Sequence, residues 1–227
     1  IVRQAQDNEI IKLSMDVRDG KSLEEQTSED VMVVPSKDLS IGMLFWADQV
    51  LCATNATRHS LNKQMREVKG MPADPQIGDK IICLKNDWDT LSKENETPLI
   101  NGTIGYITEI EKVFNPKLNF TILKISFKTE LGDTFSDIII DYKLIMENTP
   151  SVTTANYRTL ASKPATKALL PKEFAFGYAI TTWKSQGSEW DKVLLIEEAF
   201  PFKKEEHKQY LYTGITRASQ KVVVIKK

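Results

Sequence analysis

The sequence predicts an α/β fold in which a discontinuous parallel-sheet domain is interrupted by a small antiparallel β-barrel. Three observations point there. Apolar, strand-like runs alternate with amphipathic helical stretches at both ends of the 227-residue chain, the pattern of a parallel sheet with right-handed crossovers. Between roughly residues 74 and 150 the hydrophobic period switches from helical to alternating, which favours strands. Neither end is large enough to stand alone, but together they supply about five strands, close to the usual sheet size.

The elements follow in order. Residues 3–20 place Ile10, Leu13 and Val17 at helical spacing and stop at Gly20, so an amphipathic helix with a glycine cap is expected. A charged loop leads to a short buried strand over 31–34, just ahead of Pro35. A helix over 37–46, a strand over 49–53 and a helix over 56–69 complete a first segment, residues 1–73. Pro72, Pro75 and Gly78 mark the passage into the barrel, residues 74–150, with strands expected over 79–84, 103–110, 120–127 and 134–142. Residues 151–171 are rich in Thr, Ser, Ala and Pro, lack acidic side chains, and read as a return linker. The second segment, residues 172–227, holds a strand over 174–180, a polar turn over 181–190 and a strand over 193–196. A helix over 205–218 and a last strand over 222–225 follow.

Composition narrows the function classes. Hydrophobic content of 41% and charged content of 27% are those of an ordinary soluble globular protein. There is no apolar run long enough to span a membrane and no signal peptide, so a cytoplasmic location is expected. Cys52 and Cys83 each lie in an apolar run and read as reduced core residues. No metal site is expected from two cysteines and two histidines without ligand spacing. The net charge of −1 hides an uneven spread: residues 74–150 carry 8 Lys/Arg against 13 Asp/Glu, and residues 172–227 carry 10 against 7. A locally basic surface can still meet phosphates.

The turn following the strand at 174–180 concentrates hydrogen-bonding chemistry. Thr182, Lys184, Ser185, Gln186, Ser188 and Glu189 surround Gly187, which lets a backbone approach closely. Trp183 could stack on an unpaired base or anchor the turn by packing. Thr54 and Asn55, at the end of another strand, form a second polar shelf, although Asn55 could equally cap the helix that follows. Arg217, beside Thr213 and Thr216, is either a solvated arginine or a forked donor aimed at a phosphate; Arg3 is ambiguous in the same way. No G-x-x-x-x-G-K-S/T phosphate loop occurs anywhere. His59 and His207 have no nucleophile at a telling spacing, so a triad hydrolase is unsupported.

Taken together these stretches resemble the C-terminal part of a superfamily 1B DNA helicase of the RecD-like and Dda-like kind. Residues 178–189 resemble helicase motif V, an apolar strand followed by T-x-H-K-S-Q-G-S-E. Residues 211–218 resemble motif VI, Y-T-A-x-T-R-A, and Val2-Arg3-Gln4 resembles the arginine of motif IV. Thr54-Asn55, Arg58 and Asn62 resemble a T-N-x-x-R-x-x-x-N stretch that meets single-stranded DNA. Gly78-Asp79, Lys85-Asn86 and Asn101-Gly102 resemble the signature of the family's inserted barrel, which is similar to a Src-homology-3 domain.

The resemblance implies a second RecA-like domain of an ATP-dependent helicase translocating on single-stranded DNA in the 5′-to-3′ sense. It implies that Arg3 and Arg217 reach the γ-phosphate and act in catalysis. Gly187 and Glu189 join them around the nucleotide, and Thr54, Asn55, Arg58, Asn86, Thr182, Trp183, Lys184, Ser185 and Gln186 hold DNA. The phosphate loop and the Mg²⁺ ligands that serve ATP belong to an N-terminal RecA-like domain, expected to precede Ile1. The chain alone is therefore expected not to hydrolyse ATP; a non-catalytic module binding DNA or protein is the alternative. Trp183 departs from the family's histidine, and Gly214 from its alanine, the latter expected to be minor.

Overall fold

A computed structural model describes residues 8–162, 170–200 and 203–227; Arg3 lies outside them. The chain opens with α1 (Glu9–Arg18), β1 (Gln26–Thr27), β2 (Val31–Pro35), α2 (Ile41–Trp46), β3 (Gln49–Cys52) and α3 (Asn55–Val68). Next come β4 (Lys80–Cys83), β5 (Asp87–Leu91), β6 (Pro98–Leu99), β7 (Ile104–Asn115), β8 (Phe120–Thr129) and β9 (Thr134–Asp141). Two short helices, α4 (Tyr142–Glu147) and α5 (Thr154–Ala161), precede β10 (Phe174–Phe176). The chain ends with β11 (Ala179–Thr181), β12 (Trp190–Ile196), α6 (Lys204–Ile215) and β13 (Ala218–Lys226). It divides into two compact units, one formed by the residues up to Met65 with Tyr178–Lys227, the other by Arg66–Gly177.

The first unit is built on a sheet of order β1-β2-β13-β12-β3-β11, parallel throughout except for the β1 edge. A parallel sheet is covered on both faces, so its central strands carry unbroken apolar runs: Val50, Leu51, Val193, Leu194, Leu195 and Val224 are buried. α1 begins where Asn8 accepts a hydrogen bond from the Ile11 N–H and buries Ile10, Leu13 and Val17. The expected helix over 37–46 starts later, at Ile41, because the Ser40 side chain caps it by accepting from the Met43 N–H.

The second unit is a five-stranded antiparallel sheet of order β10-β4-β7-β8-β9 with a separate β5-β6 hairpin. The Lys172 backbone bonds to both the Ile139 carbonyl and the Asp141 N–H of β9, while Phe174–Phe176 pairs with β4, so the stretch that forms one edge of the sheet also reaches the other edge strand and the sheet curls on itself. Phe127 stacks on Phe135 at 5.0 Å and meets Phe174 edge-on at 5.5 Å at its centre. The strand expected over 134–142 stops at Asp141, whose carboxylate caps α4 through the Leu144 N–H and accepts from the Ser151 N–H and hydroxyl. Helix α5 occupies part of the stretch expected to be a linker.

The single strand expected over 174–180 is two strands. β10 pairs antiparallel with β4 in the second unit, and β11 pairs parallel with β3 in the first. An uninterrupted apolar run conceals this break, because both sheets demand the same residue types.

Candidate functional site

The site grows from the carboxyl ends of β3, β11 and β12, where ligands meet open α/β sheets. Beyond β12, Glu198 reaches the first turn of α3. Its carboxylate accepts from the backbone N–H groups of Ala53 and Thr54 and from the hydroxyls of Thr54 and Thr57, the Thr54 bonds measuring 2.9 Å. A carboxylate is well placed against the positive end of a helix. The Thr54 hydroxyl is thus committed within the chain, while Asn55 is exposed as the first residue of α3. No sequence signal announced Glu198, which lies 144 residues from Thr54.

Below this shelf Arg58 and Asn62 are buried. Asn62 bonds through its amide to both the N–H and the C=O of Ala179, satisfying one edge of β11. Burial lowers the pKa of the Arg58 guanidinium, and it raises that of the Cys52 thiol beside it, with Glu198 adding to the Cys52 effect. Arg58 is thus enclosed beneath the shelf.

The turn after β11 sorts its residues in the same way. Thr182 and Ser185 are buried, with the Thr182 hydroxyl donating to the Cys52 carbonyl at 3.4 Å and the Ser185 hydroxyl to the Thr182 carbonyl at 2.7 Å. Gln186, Gly187 and Glu189 are exposed and Lys184 is half-buried. Gly187 has φ +87°, a conformation that suits glycine. Trp183 is 41% exposed, its ring centroid 6.4 Å from that of the fully buried Tyr210. It is both anchored on one side and open on the other.

The turn then runs from one end of the sheet to the other. Thr181 is level with Cys52 near the carboxyl end of β3, whereas Trp190 begins β12 opposite Ala218, the first residue of β13. There Arg217, just past the α6 cap at Thr216, receives it. Its guanidinium donates to the Ser188 carbonyl at 3.1 Å and the Thr213 carbonyl at 3.2 Å, with a longer contact to the Thr216 hydroxyl, while the Arg217 carbonyl accepts from the Trp190 N–H. Asn86, in the second unit, is exposed and its amide oxygen accepts from the Asn101 N–H. Among the described residues no group of three His, Cys, Asp or Glu side chains gathers to hold a metal ion.

Gly214 is not a minor departure. A Cβ there would lie 2.7 Å and 2.8 Å from the two terminal methyls of Leu195, a fully buried residue of β12. Helix propensity alone would favour Gly214→Ala by about 1 kcal/mol, but overpacking costs about 1–3 kcal/mol. The substitution is expected to lower the denaturation midpoint, with partial recovery when Leu195→Val is added. A raised midpoint for Gly214→Ala alone would show that Leu195 has room to move.

The RecA-like α/β class is set by this sheet, with its parallel strands in the order given above. Residues 176–225 match a family model described as the UvrD-like helicase C-terminal domain. The structure is similar to that of the Pif1 helicase from Candida albicans, with a TM-score of 0.53 at 15% identity, over 99% of this chain and 54% of that one. It is also similar to the Pif1 helicase from Bacteroides in complex with ADP-AlF3 and ssDNA, with a TM-score of 0.44 at 14% identity, over 98% and 46%. The chain spans about half the length of these solved chains. No curated protein matches it. The first likeness shows the fold, that of a RecA-like α/β domain.

Proposed function

We propose that this chain is the second RecA-like motor domain, with its inserted Src-homology-3-like barrel, of an ATP-dependent DNA helicase of the RecD-like and Dda-like kind, moving 5′ to 3′ on single-stranded DNA. The observation that carries the reading is the turn itself, which starts beside Thr54 and ends on Arg217. A guanidinium has five N–H donors, and three of them are engaged with the turn and the α6 end. The others would meet the γ-phosphate of ATP held against another domain, which would supply the phosphate loop and the Mg²⁺ ligands. One side chain would then touch the nucleotide and the DNA-facing turn at once. Gly187 and Glu189, exposed beside it, would complete the nucleotide side, and Arg3 belongs to the same proposal through its motif.

On the DNA side the exposed Trp183, Gln186 and Asn55, with the half-buried Lys184, would touch the strand. Thr54, Arg58, Thr182 and Ser185 would hold these residues in place, and Asn86 would act from the barrel. Trp183→Ala is expected to weaken binding of a fluorescent oligothymidylate by about 1–3 kcal/mol, the usual worth of base stacking, with the thermal midpoint little changed. Unchanged affinity in a folded variant would remove the turn from the DNA path.

A further inference from the structure

The carboxyl end of the same parallel sheet carries a second feature, a cavity of ≈ 520 Å³ bounded by the end of α1, the start of α6 and the end of β13. Its floor is apolar, with Val17 and Leu211 buried, and its rim is basic, with Lys21, Lys204, Lys208, Lys226 and Lys227. The acids nearby are engaged. Asp16 takes Lys21 at 2.6 Å, Glu205 takes Lys208 at 2.8 Å, and Glu197 accepts from the Lys227 N–H at 3.1 Å and lies 3.0 Å from His207 Nε2. Lys204, Lys226 and the Lys227 side chain have no ion pair among the described residues.

A cation rim over an apolar floor suits a group that is anionic at one end and flat or apolar at the other. The volume lies in the usual range for small-ligand sites, about 300–1,000 Å³. Position narrows the choice. β13, which ends in Lys226, lies two places from β3 in the sheet, with β12 between them. At about 4.8 Å per strand the cavity is roughly 10 Å from the Thr54 shelf, at the same sheet end. We propose that it holds a further nucleotide of the single strand gripped at the turn, with phosphate on Lys204 and Lys226 and the sugar or base on the apolar floor. This rests on the DNA-binding reading above.

The test is Lys204→Gln/Lys226→Gln in the whole chain, with unchanged circular dichroism and melting as the folding control. Anisotropy of labelled (dT)15 would be followed from low to moderate salt, beside Trp183→Ala and a short (dT)4. Single strands give a log–log salt slope of about −0.7 per neutralised phosphate, so the double variant, which releases one phosphate, should flatten the slope by about 0.7. It should weaken (dT)15 binding while leaving (dT)4 unaffected. An unchanged (dT)15 slope with Trp183→Ala still impaired would overturn the cavity assignment and leave the DNA reading standing. No effect of either variant, or no binding by the unsubstituted chain, would overturn both. If a polyglutamate peptide binds the chain and the double variant loses that peptide while keeping (dT)15, the cavity belongs to an acidic protein partner and the nucleic-acid assignment fails.

Discussion

Arg217→Ala, introduced into this chain joined to the ATP-binding domain that the proposed function requires, is expected to lower ATP turnover about 10³–10⁵-fold, the usual worth of an arginine donated to a transferring phosphoryl group. Binding of DNA without nucleotide should be largely spared. Arg217→Lys separates the two halves of the role. A lysine supplies charge but lacks the planar fork, so it cannot keep the Ser188 carbonyl and the Thr213 carbonyl while also reaching a phosphate. It should therefore recover part of the turnover of the alanine variant but leave hydrolysis poorly stimulated by DNA. Near-normal turnover in Arg217→Ala would sink the assignment, and full DNA stimulation in Arg217→Lys would sink the coupling role.

Asp79→Ala should cost the second unit about 3–5 kcal/mol, because it strands a buried charge. Arg66 and Asp79 form a bidentate pair at 2.9 Å and 3.0 Å with side chains 6% and 0% exposed. Two further guanidinium N–H groups donate to the carbonyls of Ala73 and Asp74, both at 2.8 Å, and Arg66 Cζ lies 4.2 Å from the Phe176 ring centroid. The second Asp79 oxygen also accepts from the Gln76 N–H at 2.7 Å. The pair thus ties down the loop that leads into β4. Urea unfolding at constant m-value would measure the loss. Replacing both partners, as Arg66→Met with Asp79→Leu, should be much milder than Asp79→Ala alone, since no charge is left buried. A double variant as unstable as the single one would show that the loop carbonyls matter more than the charge.

Much of the first unit was legible in the chain. Apolar runs at 31–34, 49–53 and 193–196 coincide with β2, β3 and β12, because a strand buried on both faces needs a continuous apolar run and little else. The β1 edge was hidden in a charged loop, since both residues of this two-residue strand are exposed and carry no apolar pattern. The site was legible as a list of polar residues in one turn but not as an arrangement. Nothing local distinguishes Gln186, which faces solvent, from Ser185 next to it, which is buried with its hydroxyl turned back on Thr182.

What the sequence by itself determined is the α/β class and the order of its segments, because hydrophobic period and turn chemistry are properties of neighbouring residues. Tertiary structure alone decided that Glu198 closes the Thr54 shelf, that Arg217 holds the end of the polar turn, and that the run at 174–180 serves two sheets. Each of these joins groups far apart along the chain through hydrogen bonds, and no periodicity records which distant acceptor a donor will find.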